Sequence, residues 1–289
     1  MKLLRFEGDH GPRLGALVDE SRVAPLDALG DRYPTMLAIV QGGEEALAAV
    51  REAADKAGPA LDLAELKLLA PLERPGKYLA IGMNYGKHLE EAKRLGAAAP
   101  TNQYWFNKQT SCISGPHDDI DPGVSRALDY EVELGVVIGT RAKHVSEADA
   151  PKHVFGWTVA NDVSARDWQS HSPTFTVGKS FDTHGPIGPW IVTADEIPDP
   201  HDLEIRCWVN GDLRQDANTG EMIYNVWRQI AYLSTAFTLE PGDLIASGTP
   251  SGVGVGRQPP VFLEPGDVVR CEVEGIGAIE NRVSAAVSI

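Results

Sequence analysis

Ala127-Leu-Asp-Tyr-Glu-Val-Glu-Leu-Gly-Val-Val-Ile-Gly139 is the stretch on which the reading of this chain turns. Leu128, Tyr130, Val132, Leu134, Val136 and Ile138 alternate with Asp129, Glu131, Glu133 and Gly135, and a period of two predicts a strand with unlike faces. At a rise of roughly 3.3 Å per residue, Glu131 and Glu133 share a face with stems about 6 to 7 Å apart, so both can converge on one ion. Acids in a row on one face raise each other's pKa unless a cation, basic side chains or water screens them. Taken alone, such a strand reads more simply as a solvated outer face.

A second β-like run shifts that balance. Val154-Phe-Gly-Trp-Thr-Val-Ala-Asn-Asp-Val163 carries Asp162 at its end, just before the helix-compatible Ser164-Ala-Arg-Asp-Trp168. An acid at a strand end is well placed for a site. Glu131, Glu133 and Asp162 form an oxygen-only set that suits Mg²⁺, Mn²⁺ or Ca²⁺ and leaves positions for water and substrate. Zinc fits less well, because no His or Cys cluster accompanies them.

Outward from these runs, the chain beyond residue 70 is mostly β, with turn residues roughly every 8 to 12 positions, a spacing that suggests a barrel or sandwich. Helices are expected at Tyr85 to Leu95, Ser146 to His153 and Met222 to Phe237. Before residue 70, short strands from Lys2 to about Pro25 precede a helix pair between Thr35 and Ala57, interrupted at Gly42-Gly43. Pro71, Pro75 and Gly76 then punctuate the chain. The expected organisation is a small N-terminal α+β domain over residues 1–70 and a catalytic domain over 71–289. No βα alternation supports a doubly wound nucleotide fold.

The 289 residues are 43% hydrophobic and 23% charged, which is ordinary globular usage. A formal charge of −15 argues against a nucleic-acid partner, which would need a positive face. Cys112, Cys207 and Cys271 form no C-x-x-C pair and read as buried thiols. The start Met1-Lys-Leu-Leu-Arg-Phe-Glu lacks the apolar core of a signal peptide, and no segment reaches membrane-spanning length. The expectation is a cytoplasmic protein that works without a membrane.

Five segments in order resemble the fumarylacetoacetate hydrolase family: Ile81-Gly-Met-Asn-Tyr-Gly-Lys-His88, Asp129-Tyr-Glu-Val-Glu-Leu134, Ala160-Asn-Asp-Val-Ser-Ala-Arg-Asp167, Gly178-Lys-Ser-Phe-Asp-Thr183 and Ser247-Gly-Thr-Pro-Ser-Gly-Val-Gly254. The likeness spans roughly residues 75 to 289 and is close to the branch of fumarylacetoacetate hydrolase domain-containing proteins. It implies an α+β, mostly β protein with a mixed β-roll or barrel core, a homodimer, and a Mg²⁺ or Mn²⁺ ion on Glu131, Glu133 and Asp162 with Lys179 close behind. It also implies a mobile lid carrying His88 and Glu91. Three residues apart on a helix, those two side chains can face one way, and a carboxylate beside an imidazole fixes the ring. From spacing alone the pair is a surface His with an unrelated Glu.

Rival motifs fail. Lys179 in Gly-Lys-Ser is not a phosphate loop, because the first glycine of that pattern falls at Pro173. Gly252-Val-Gly-Val-Gly256 opens no recognisable helix, so a dinucleotide loop is not expected. Arg166, Lys108 and Gln109 are candidates to anchor a substrate carboxylate, with Tyr85 and Thr249 as further substrate contacts, although each serves equally well as a structural group. His184 stands where many relatives have an aromatic residue, and Tyr104-Trp105-Phe106 are read either as core or as contacts to an apolar substrate end.

The chemistry expected from this set is hydrolytic cleavage of a carbon–carbon bond in a 1,3-dicarbonyl acid, with His88 deprotonating water. β-Keto acid decarboxylation and keto–enol isomerisation on the same site are the alternative. A reading of a different class is a catalytically silent dimeric scaffold.

Overall fold

The computed structural model describes residues 1–285. Its N-terminal strands are β1 (Lys2–Gly8), β2 (Gly11–Leu17), β3 (Arg22–Pro25), β4 (Leu61–Asp62) and β5 (Leu68–Leu69). Next come β6 (Tyr78–Gly82), β7 (Tyr104–Lys108), β8 (Ile113–Ser114), β9 (Leu128–Asp129), β10 (Val132–Ile138), β11 (Val154–Asn161) and β12 (Ser164–Ala165). The last are β13 (Gly185–Thr193), β14 (Glu204–Val209), β15 (Asp212–Asn218), β16 (Leu244–Ala246), β17 (Val268–Val273) and β18 (Gly277–Arg282). Four α-helices accompany them: α1 (Met36–Asp55), α2 (Gly86–Arg94), α3 (Arg166–Gln169) and α4 (Val226–Ala236).

A 12-stranded mixed sheet runs in the order β4-β3-β2-β1-β13-β11-β10-β16-β6-β7, with β5 on β1 and β8 on β13. Most pairings are antiparallel, while β16–β6 and β13–β8 are parallel. The path ends at β4 and β7 without closing, so the expected barrel is instead a large open sheet. A second sheet, β15-β14-β17-β18, supplies the layer that covers one face. Trp157, Val159, Ile205, Val269 and Ile279 pack between the layers together with Ile230 and Leu233 of α4. Strands β10 and β11 are buried along their whole length, which explains why the apolar positions of β10 are filled by Val, Leu and Ile.

Helix α1 starts at Thr35, whose side chain accepts from Ala38 N, and it breaks at Gly43 with φ 55°, the interruption expected from the Gly-Gly pair. The helix expected over 146–153 is reduced to a short 3₁₀ turn, Ala150–His153. Pro151 sits at its start, and Ser146 Oγ is engaged by Asp149, a local turn that competes with helix. The N-terminal residues continue the main sheet through β1–β13 pairing. Met36, Ile39 and Val40 share one apolar cluster with Tyr78, Val137, Phe155 and Ile191, so both sides of residue 70 draw on a common core. All three cysteines are free and buried. No helix among the described residues is long and apolar enough to cross a membrane.

Because that core is shared, Ile39→Ala should lower the stability of the whole chain by about 2 to 4 kcal/mol in one cooperative transition. Denaturant unfolding followed by tryptophan fluorescence and circular dichroism checks this: a separate early transition of the N-terminal segment would contradict the shared core.

Candidate active site

The predicted acidic strand is broken once. Between β9 and β10 the backbone leaves the ladder at Tyr130 and Glu131, and side chains take its place: Asn161 Oδ1 accepts from Glu131 N at 3.0 Å and Gln215 Oε1 from Val132 N at 3.0 Å. Asp162 N then donates to the Glu131 carbonyl at 2.9 Å, which locks the end of β11 beside the start of β10. Glu131, Glu133 and Asp162 consequently place ligand oxygens within 4.8 Å of one another. All three are buried, so the solvated-face reading fails.

Cations surround two of the three acids. Lys179 Nζ donates at 2.7 Å to Glu131 Oε2 and at 2.7 Å to Asp162 Oδ2. Arg166 Nη2 donates to Glu131 Oε1 at 2.6 Å, and Lys108 Nζ to Asp162 Oδ1 at 2.6 Å. Burial pushes the Glu131 carboxyl up, but Lys179 and then Arg166 outweigh it and hold Glu131 below the usual range. Glu133 differs: its oxygens receive the Gly248 N–H at 2.7 Å and, among the described residues, no ion pair. Burial, then Asp162 and Glu131, push its carboxyl well above the ordinary value. An uncompensated buried carboxylate facing two others is what a divalent cation would neutralise, and the all-oxygen donor set fits Mg²⁺ or Mn²⁺.

Beside the acids opens a cavity of about 260 Å³. His88, Glu91, Glu131, Arg166, Lys179 and Thr249 line it. Helix α2 carries His88 and Glu91, whose Nδ1 and Oε2 lie 3.1 Å apart as their spacing predicts. Met83, on the turn into α2, and Phe175 both line the cavity from the left-handed region, with φ 55° and 60°. Strain of that kind gathers where a site dictates the backbone.

Three expected substrate contacts lie outside the lining of this cavity. Lys108 is buried behind the cavity and does not line it; its ammonium serves Asp162 and the Lys179 carbonyl. Gln109 is exposed and meets Ser180 Oγ through its backbone N–H at 2.9 Å, because the chain turns outward after β7. Tyr85 packs into the hydrophobic core next to α2, away from the cavity lining. Of the three consecutive aromatics, Phe106 lines the cavity, while Trp105, on the opposite face of β7, packs against the core. His184 is buried, stacks on Phe181 and donates from Nε2 to Asp121 O at 2.9 Å; it lies outside the cavity lining, and burial, then the Lys108 charge, lower its pKa to about 3.

Residues absent from the sequence reading complete the site. Gln215 Nε2 donates at 2.8 Å to Thr249 Oγ1 and at 2.8 Å to Pro250 O, joining β15 to the cavity wall. Asn84 bridges Ser247 O at 2.7 Å and Tyr224 O at 3.0 Å. Its close approach requires glycine at 248, where φ is +107° and a Cβ would stand 2.6 Å from Asn84 Cβ. Gln169 lines the cavity one helical turn from Arg166 and accepts from its Nη1 at 3.0 Å. Asn84 sits inside a quoted motif, but Gln215 carries no local signal, since its partners are more than thirty residues away.

The model described as fumarylacetoacetate (FAA) hydrolase C-terminal matches residues 77–284, and the chain belongs to the fumarylacetoacetate hydrolase family of enzymes. Among curated proteins it is 44% identical, over 98% of this chain and 91% of the relative, to a Bos taurus protein named oxaloacetate tautomerase FAHD2B, mitochondrial. A Homo sapiens protein named oxaloacetate tautomerase FAHD2A, mitochondrial, is 43% identical over the same shares. Among solved structures, a maleylpyruvate hydrolase from Sphingobium sp. SYK-6 in complex with manganese(II) ion and pyruvate is 32% identical, with a TM-score of 0.84 and coverage of 99% of this chain and 100% of that one. A fumarylacetoacetate hydrolase from Exiguobacterium antarcticum reaches 37% identity and a TM-score of 0.85 over 99% of both chains. The expected cytoplasmic location is corrected by these findings, because the curated relatives are named as mitochondrial proteins.

Two measurements follow. Glu133→Gln should weaken Mn²⁺ binding at least about 10-fold by calorimetry while the fold persists, and undiminished affinity would separate Glu133 from any ion. His184 is neutral in the fold but has an unfolded pKa near 6.5, so the unfolded chain binds more protons below that value. Its contribution is complete above about pH 6.5 and is lost as pH falls toward 3. His184→Phe should therefore flatten the decline in stability between pH 6.5 and 4, measured by denaturant titration at each pH.

Proposed function

We propose that this chain is a metal-dependent keto–enol tautomerase acting on a small β-keto diacid of the oxaloacetate type. The observation that carries the reading is the imidazole of His88, fixed by Glu91 and facing Arg166, Lys179 and the carboxylate cluster across a cavity of about 260 Å³. The relatives named oxaloacetate tautomerases support it over the carbon–carbon hydrolysis expected from the sequence. We carry the homodimer over from the family resemblance; light scattering should give the mass of two chains.

A Mg²⁺ or Mn²⁺ ion held by Glu131, Glu133 and Asp162 would supply Lewis-acid polarisation of the substrate's keto oxygen. Arg166 presents its guanidinium at the cavity wall, where a substrate carboxylate gains charge-assisted hydrogen bonds. With Nδ1–H directed at Glu91, the lone pair of His88 sits on Nε2. That nitrogen takes a proton from the carbon between the two carbonyl groups, and Lys179 lies on the side where enolate charge develops. The proton then returns to oxygen: one C–H bond breaks, one O–H bond forms, and no water is consumed. Ile81, Phe106, Phe175, Val253 and Val255 wall the cavity with apolar surface, which keeps bulk water from the enolate.

The test starts from enol oxaloacetate and follows its ultraviolet band to equilibrium. Metal-loaded protein should speed the decay, chelation should abolish the effect, and His88→Ala should lower kcat by about 10²- to 10⁴-fold while Mn²⁺ affinity holds. Protein that splits acylpyruvates but leaves the enol untouched would return the assignment to hydrolysis.

A further inference from the structure

The segment Gly252–Gly256 joins two parts of the site that stand on different elements. On one side it seats helix α2: Gly252 N donates to Glu91 Oε1 at 3.0 Å, and a Cβ at Gly256 would lie 3.1 Å from Glu91 Cδ. Tyr130 Oη donates to the Gly252 carbonyl at 3.0 Å. Gly252 has φ +110°, and a Cβ there would meet Arg214 O at 2.0 Å, so the seat admits no side chain at this point. On the other side, Gly254 N donates to Asp129 Oδ1 at 2.7 Å and Val255 N to Asp129 Oδ2 at 3.0 Å. The same Oδ2 accepts from Arg166 Nε at 2.8 Å, and Oδ1 also accepts from Tyr130 N at 2.9 Å. Asp129 is fully buried and does not line the cavity. Its four partners are all donors, two on each oxygen, a demand only a carboxylate meets, since an amide would turn its NH₂ group against two of them.

We propose that Asp129 is a positioning residue that fixes both the Arg166 guanidinium and the seat of α2, so that docking of His88 and Glu91 is coupled to the presentation of Arg166. The chain of contacts runs from Glu91 to Gly252, along three residues of backbone to Gly254 and Val255, and through one carboxylate to Arg166. Loosening the carboxylate frees both ends. A residue that only filled space would disturb its neighbours without linking α2 to Arg166. The proposal rests on the function above only in giving Arg166 a substrate carboxylate to hold; the seating of α2 does not depend on it.

Hydrogen exchange on the full-length, Mn²⁺-loaded protein tests the structural half. In Asp129→Asn, exchange should quicken at least about fivefold over residues 252–256 and equally over 88–95, while β10 and β11 keep their protection. Quickening confined to 252–256 overturns the proposal. Kinetics with the enol substrate test the other half: Asp129→Asn should raise KM more than it lowers kcat, and in an Arg166→Gln background it should add less than about threefold, since residues acting through one another are non-additive. Fully multiplicative losses overturn it. Should Asp129→Asn fail to fold, Tyr130→Phe loosens the same seat by one hydroxyl: faster exchange over 88–95 at unchanged melting temperature supports the coupling, and unchanged exchange there overturns it. Wild-type protein without tautomerase activity would refute the proposed function yet leave the exchange result standing.

Discussion

Burying like charges together is the constraint to which the rest of this molecule answers. Asp129, Glu131, Glu133 and Asp162 are taken out of water within two short runs of chain, while Lys108 and Lys179 are brought in from two other segments, and Arg166 from just past Asp162, to meet them. Removing ions from water costs several kcal/mol each, and only close, hydrogen-bonded partners return that cost. Such partners need a rigid frame. The two-layer sheet provides it, because β10 and β11 are enclosed on both faces and cannot slip register without exposing Val136, Trp157 and their neighbours.

The same constraint explains the order of the polar contacts. Where the chain leaves the ladder between β9 and β10, side-chain amides replace the missing backbone partner, Asn161 of the adjacent β11 for Glu131 and Gln215 of β15 for Val132. Gln215 then spends its remaining hydrogen bonds on Thr249 and Pro250, so the cavity wall and the acidic strand are held by one group. Gln215 thus uses both ends of its amide, while the buried Nδ2 of Asn161 has no partner among the described residues.

Much of this was legible beforehand, and the reason is local. Period-two alternation exposes Glu131 and Glu133 as a facing pair, a strand end marks Asp162, and a three-residue spacing marks His88 with Glu91; each signal lies inside a dozen residues. What was missed is non-local. Asp129 reads as one more acid of the row until the fold brings Gly254, Val255 and Arg166 to it from 37 or more residues away. Lys108 reads as a substrate anchor because its charge is visible in sequence, but its depth behind Asp162 depends on how β7 lies across β6. The open sheet likewise escapes a reading of strand spacing, which is compatible with closed and open arrangements alike.

Hydrolysis and tautomerisation differ less in their residues than in what reaches the enolate. Both begin with a dicarbonyl acid held against positive charge and a base carried on a helix; hydrolysis then needs a water molecule positioned for attack, while tautomerisation needs that water kept away. Apolar side chains from β6, β7 and the Val253–Val255 segment border the polar floor of the cavity, and the proposed tautomerisation draws on that apolar border. Glu91 seats α2 on that same segment. The helix that carries His88 and the apolar wall are therefore held by one segment, and the proposed passage of a proton from carbon to oxygen away from solvent rests on that arrangement.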